Sequence, residues 1–212
     1  MAAIAGHFVK GGEGALRAER AAAAWTGDDA VRVAVDGRGA DASAVASAFA
    51  QWGARATAAG LEGDASVAIW DEGRRELHLV CGPLGTRPLY YVARASAFAF
   101  ASRLRALASS GLCLPRLDEE AVWGYLLYGH TTGARTPLAG VLRVPAGHLL
   151  TWSAETGAVR VEHYWDYPSG APREGVTLDV ARADVAALAD RSVARLAAGA
   201  PVGACSLAGP AR

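Results

Sequence analysis

Covalent or metal chemistry needs thiols, imidazoles or clustered carboxylates, and this chain carries few that its spacing could bring together. Cys81, Cys113 and Cys205 stand far apart, with no paired spacing for a metal clip and no disulfide framework. Thiols placed singly in this way serve as small buried hydrophobes in a reducing compartment. The five histidines, His7, His78, His130, His148 and His163, are equally scattered. None sits four residues from another on a helical face, so the spacing predicts no metal site. Asp41 precedes an apolar-periodic run, where a carboxylate caps the first free N–H groups of a helix. Just before it, Asp36-Gly37-Arg38-Gly39 reads as a turn.

The elements that would position these residues follow from periodicity. Residues 66–102 read as three or four strands, broken at residues 71–75 and around Gly85 and Pro88. Leu77 and Leu79 alternate with His78, as half-buried antiparallel strands require. A first helix follows Asp41, puts Val45, Ala48, Phe49 and Trp52 on one stripe, and ends at Gly53. A second starts at Asp118 with Glu119 and Glu120 near its positive end, buries Val122, Tyr125 and Leu126, and stops at Gly129. A third begins near Asp179 and carries Val185, Leu188 and Leu196 before Gly199 and Pro201. Short strands are expected over residues 149–152 and 159–161, separated by a turn-rich stretch, and residues 168–175 form the best linker.

Composition excludes some classes of function. With 21 Lys+Arg against 21 Asp+Glu the formal net charge is +0, which leaves no electrostatic case for nucleic acid or an anionic membrane. Hydrophobic residues make up 52%, yet Gly, Asp and Arg interrupt every run before the ~20 residues a membrane helix needs. The start has no basic stretch and too short an apolar run for a secretory signal, so a cytoplasmic location is expected.

Several segments in order carry a resemblance. Phe98-Ala99-Phe100-Ala101-Ser102 follows Ala68-Ile69-Trp70-Asp71, a basic hairpin, and Gly85-Thr86-Arg87-Pro88-Leu89-Tyr90-Tyr91. Then come Leu117-Asp118-Glu119-Glu120-Ala121 with Gly129, Gly140-Val141-Leu142-Arg143-Val144-Pro145-Ala146-Gly147-His148, Tyr164-Trp165-Asp166 and Pro201-Val202-Gly203-Ala204. This collinear set, from about Asp41 to Ala204, resembles the asparagine synthetase family. The resemblance implies an α+β fold: a four-layer αββα domain of the N-terminal-nucleophile type with two antiparallel sheets over residues 1–167. Residues 168–175 would be the linker, and residues 176–212 the truncated start of an α/β ATP-pyrophosphatase domain.

Members of that family release ammonia from glutamine in the first domain and use ATP in the second to activate a carboxylate for amide formation. The glutaminase nucleophile is a Cys exposed by removal of Met, with its own α-amino group as base. Here Ala2 holds that position, and a methyl group can neither attack a carbonyl nor carry an acyl group. The glutamine-carboxylate loop and the oxyanion-hole loop are not recognisable, and Asp36-Gly37-Arg38-Gly39 occupies roughly the place of the latter. Cys81-Gly82-Pro83 replaces a charged tripeptide. Asp41 matches the family's substrate-amine aspartate by its distance from Gly53, and capping a helix accounts for it equally. Loss of the nucleophile is shared with β-lactam synthetases and the macrolactam synthetases that close lasso peptides, which use an internal amine.

The ATP site meets a second obstacle. A phosphate-cradling loop needs consecutive backbone N–H groups freed by glycine, with a helix behind them. After Cys205 only Ser206 and Gly209 are of suitable type, and Pro210 has no N–H. The expectation is therefore no cofactor for these residues alone, with ATP and Mg2+ implied for the full-length family. The function expected by descent is an ATP-dependent amide ligase of lasso-cyclase character, present here as an inactive piece. The alternative is a non-catalytic module that docks on a separately encoded synthetase domain or a precursor peptide; self-association stays open, and glutaminase by another nucleophile is a weaker third.

Overall fold

The structure, a computed structural model, describes residues 3–9, 15–19, 26–27, 30–61, 63–108, 111–113, 116–170 and 175–197. Alternation along the strands divides side chains between two faces, and here both faces of the central sheets find apolar partners. In chain order the elements are β1 (Ala3–Val9), β2 (Ala15–Glu19), β3 (Thr26–Gly27), β4 (Val31–Arg38), α1 (Ala42–Ala59), β5 (Asp64–Asp71), β6 (Glu76–Val80), β7 (Tyr90–Arg94) and β8 (Ala97–Ala101). There follow α2 (Leu104–Ala108), α3 (Glu119–Tyr128), β9 (Leu142–Arg143), β10 (His148–Ser153), β11 (Val159–His163) and α4 (Leu178–Ala197). They build a five-stranded sheet, β2-β1-β8-β7-β9, and a six-stranded sheet, β11-β10-β6-β5-β4-β3. The strand pairs are antiparallel.

The largest core lies between the sheets. Ile4, Phe8, Phe98 and Phe100 of one sheet meet Trp70, Leu77, Leu79 and Trp152 of the other. Phe8 and Trp70 have ring centroids 4.8 Å apart, Phe98 and Trp152 5.0 Å, within the range of favourable aromatic pairs. Each such side chain, fully buried, contributes about 1.5–3 kcal/mol. Gly6 makes the packing feasible: it faces Phe100 across the ladder, and a Cβ there would stand 2.3 Å from the Phe100 ring. On the outer face of the six-stranded sheet, Val45 and Phe49 of α1 cover Val33, Val67, Ile69, Val80 and Leu149. On the outer face of the five-stranded sheet, Leu107 of α2 covers Val92, Ala99 and Ala101. The order of layers is thus helix, sheet, sheet, helix.

Four strands occupy residues 64–101, and the alternation expected of half-buried strands is overturned in β6. His78 is buried to 4% exposure along with Leu77 and Leu79, because α1 closes the second face. The Asp36 to Gly39 stretch is also not a turn throughout: Asp36, Gly37 and Arg38 end β4, paired with Ser66, Ala65 and Asp64. Asp41 caps α1, accepting the Ala44 N–H at 2.9 Å. Gly53 leaves helical geometry at φ 77°, ψ 174°, yet the helix resumes and ends at Ala59 under Gly60. Helix re-forms beyond the kink because Thr57 and Ala58 are buried there and Ala-rich sequence favours it. Trp52, expected on the covered stripe of α1, is 62% exposed, and burial resumes only past the kink.

Helix α3 has the expected caps: Asp118 accepts the Ala121 N–H at 3.1 Å, and Gly129 is left-handed at φ 74°. Its expected buried face is corrected. Ala121 is the buried residue of α3 and Val122 is half-buried, while Tyr125 and Leu126 are 54% and 67% exposed. Apolar residues lie on all sides of this helix, so no single stripe dominates.

The chain divides into two compact units, Met1–Asp166 and Tyr167–Arg212. In the second, α4 presents Val185 and Leu188 at 65% and 55% exposure; Ser206 and Gly209 lie outside the described residues, as does Ala2. No described helix is long and apolar enough to cross a membrane.

Candidate functional site

The close approach of β4 and β5 creates an open cleft of about 410 Å³ at one end of the sheets. Gly37 permits that approach. Its φ is +140°, and a Cβ would fall 2.0 Å from the Asp64 carbonyl oxygen, so every other residue is barred. Asp36 from β4, Asp64 from β5, Thr86 and Arg87 from the loop before β7, and Ser102 after β8 line the cleft together with Pro88 and Arg103.

Arg87 organises the floor. Its Nε donates to Asp64 Oδ2 at 3.1 Å, and its Nη1 stands 4.0 Å from Asp36 Oδ1. The Thr86 hydroxyl donates to the other Asp64 oxygen. Asp36 is buried to 6% exposure, where a carboxylate requires a compensating cation. Ser102 ties the wall to β1: its Oγ accepts the Ile4 N–H at 3.1 Å, and its own N–H donates to the Ile4 carbonyl at 2.9 Å.

The loop carrying Arg87 is held from below. The Tyr164 hydroxyl donates to the Cys81 carbonyl at 2.8 Å, and burial pushes that phenol up to about 12. Gly85 and Gly147 both donate their N–H to the Gly82 carbonyl. Cys81 points its Sγ at the Arg87 carbonyl, 3.8 Å away, and burial raises its thiol above the ordinary value. A raised thiol is a poor nucleophile at neutral pH. Cys113 is buried in the cluster beneath α2.

The cleft can therefore bind but has no evident nucleophile among the described residues. Two carboxylates offer acceptors to an ammonium or amide N–H, and the Arg87 guanidinium is already engaged by both. Asp41 does not line the cleft; its carboxylate serves the α1 terminus. Asp64, Arg87 and Ser102 carry no local signal of a site role, although Ser102 ends the motif of residues 98–102. Arg87 lies inside the Gly85 to Tyr91 motif, but nothing local marks the pairing that brings Asp36 and Asp64 to it.

A smaller hollow of about 260 Å³ lies at the C-terminal end of α3, lined by Tyr90, Tyr125, His130, Arg135 and Arg143 among others. Arg135 there is held by Asp118 and Glu120, each at 3.0 Å.

Residues 33–165 match the family described as "Glutamine amidotransferase domain". Asparagine synthetase [glutamine-hydrolyzing] 3 of Bacillus subtilis (strain 168) is 27% identical over 113 residues, which is 51% of this chain and 18% of that protein. The match thus spans less than a fifth of the relative's length. Among solved structures, glutamine phosphoribosylpyrophosphate amidotransferase from B. subtilis, complexed with ADP and GMP, aligns with TM-score 0.44 and 14% identity over 73% of this chain and 35% of that one. A structure described as the allosteric regulatory enzyme of purine biosynthesis aligns with TM-score 0.39 and 14% identity, covering 67% and 30%.

Proposed function

The chain belongs to the glutamine amidotransferase domain family, and from that premise we propose that it is a non-hydrolytic scaffold domain of an asparagine-synthetase-like, ATP-dependent amide ligase. Its character is that of the β-lactam and lasso-peptide macrolactam synthetases, which need no ammonia from glutamine. One observation carries this reading. The cleft at the end of the sheets is lined by Asp36, Asp64, Thr86, Arg87, Pro88, Ser102 and Arg103, with no thiol among these described residues. The strand β1 beside it, Ala3–Val9, contains no Cys, Ser or Thr. Ser102 Oγ accepts the Ile4 N–H, and the Thr86 hydroxyl donates to Asp64. Nucleophilic attack on an amide needs an activated thiol or hydroxyl, and the described lining of the cleft holds no thiol.

The described residues do not fit ATP or Mg2+ either. Asp36 and Asp64 would repel a triphosphate, the Arg87 between them is neutralised, and no group of three or more acidic, His or Cys ligands occurs among them. Activation of a carboxylate by ATP therefore belongs, in this reading, to a synthetase domain beyond these residues, and the domain described here would wall its substrate.

The test uses 6-diazo-5-oxo-L-norleucine, which alkylates glutaminase nucleophiles. Intact mass after incubation shows no adduct, and a coupled assay shows no ammonia release from glutamine. An adduct on any residue of the cleft overturns the proposal.

A second reading, docking on a separately encoded synthetase domain or on a precursor peptide, is favoured by α3. Trp123, Leu126, Leu127 and Tyr128 are 65–72% exposed there, a patch of the kind that marks interfaces. If that reading holds, Leu126→Glu abolishes binding to the partner encoded beside this gene and leaves the fold unchanged. Unaltered binding removes it.

A further inference from the structure

The geometry points to a two-histidine site for a late first-row divalent cation, Zn2+, Ni2+ or Cu2+, formed by His148 of β10 and His163 of β11. Their scattering in sequence gives no hint of it. The antiparallel register sets the two residues directly opposite each other, so their side chains leave the same face, and their ring centroids stand 4.7 Å apart at 42°.

The separation suits a shared ion. A metal lies about 2.0–2.1 Å from an imidazole nitrogen, and the ring centre lies ~1.1 Å further back, so two rings at a cis angle have centroids about 4.5–5.2 Å apart.

The tautomer is set correctly as well. His148 Nδ1 is 2.7 Å from the Ala146 carbonyl oxygen, which can only accept, so Nδ1 carries a hydrogen and Nε2 is the atom left to ligate. An N–H held by a backbone carbonyl is the usual outer support of a metal-bound imidazole.

Arg55 Nη1 donates to the His163 backbone carbonyl at 3.1 Å, while the two imidazoles leave by the other face of the ladder. Leu149 and Glu162, the next pair along the ladder, face α1, and Arg55 of that helix reaches Glu162 at 3.9 Å from that side. The histidines therefore sit on the opposite face from Arg55. His163 is exposed, on a strand at the edge of its sheet, and His148 is half-buried. Among the described residues no third His, Cys, Asp or Glu joins them. Water completes the coordination shell, which makes the site one of moderate affinity with the order Cu2+ above Ni2+ and Zn2+. Bound metal would clip the edge strand β11 to β10. Nothing here depends on the glutaminase or ligase readings.

Calorimetric titration of the untagged full chain with ZnCl2 and NiCl2, in a non-coordinating buffer, tests the site. One ion binds saturably per chain, and His163→Gln weakens it at least about tenfold. A rise in Tm with metal disappears in the same variant. His163 is exposed, so the variant is expected to fold; sub-stoichiometric Ni2+ needs no variant, and broadens the imidazole NMR signals of His148 and His163 before the others. Absence of saturable binding, full retention in His163→Gln, or first broadening at His7, His78 or His130 each overturns the inference.

Discussion

Arg87 is where the charges of the cleft meet. It compensates a buried Asp36 and a half-exposed Asp64 at once, so removing it strands a carboxylate with little access to water. Arg87→Ala is expected to lower stability by about 1–3 kcal/mol in urea unfolding at neutral pH. Adding Asp36→Asn to that variant restores part of the loss, because the unpaired charge goes with it. Equal loss in both variants would show that the pairing is incidental. At this scale the sequence is legible in caps and poor in sites. Asp41 and Asp118 announce their helices because an N-cap is a local matter of one side chain and the N–H three residues on. Asp64 and Arg87 form an ion pair across 23 positions, which no local pattern encodes.

Among the elements, β6 carries the clearest pH signature. His78 is enclosed by Phe49, with ring centroids 5.4 Å apart, and its Nδ1 lies 3.0 Å from Thr151 Oγ1. Burial lowers its pKa from 6.5 to about 4, with the charges of Asp71, Arg74 and Arg160 as smaller influences. The unfolded chain takes up a proton near 6.5 that the folded chain refuses. Stability therefore falls as pH drops from about 6.5 to about 4, by up to ~3 kcal/mol, and this group adds nothing further below that. Urea midpoints at pH 7 and about pH 4.5 measure it; His78→Gln should flatten the difference, and an unchanged slope assigns the pH dependence elsewhere. Helix α3 offers a contrast of cap against face. Asp118→Ala should cost about 1 kcal/mol, whereas Leu126→Ser, at 67% exposure, should stay within about 0.5 kcal/mol. Thermal unfolding of both checks whether the apolar residues of α3 stabilise this fold or wait for something else. The burial expected for Tyr125 and Leu126 failed because their spacing tells which residues share a face, not whether a neighbour exists to cover it.

At the scale of the whole molecule, the three apolar clusters of described residues lie within Met1–Asp166, with Tyr164 the last described residue packed against them. What the sequence by itself determined is local and ordered: strands where alternation and turns agree, caps at Asp41 and Asp118, and a collinear set of motifs that places the chain among glutamine amidotransferase domains. Only the tertiary structure decided which faces are covered, as at His78 and α3, and which distant residues meet, as in the Asp36, Arg87 and Asp64 cleft and at His148 and His163. The reason is physical. Periodicity and capping act over a few residues, whereas burial and charge pairing depend on strand register, which is settled by the simultaneous packing of both sheets.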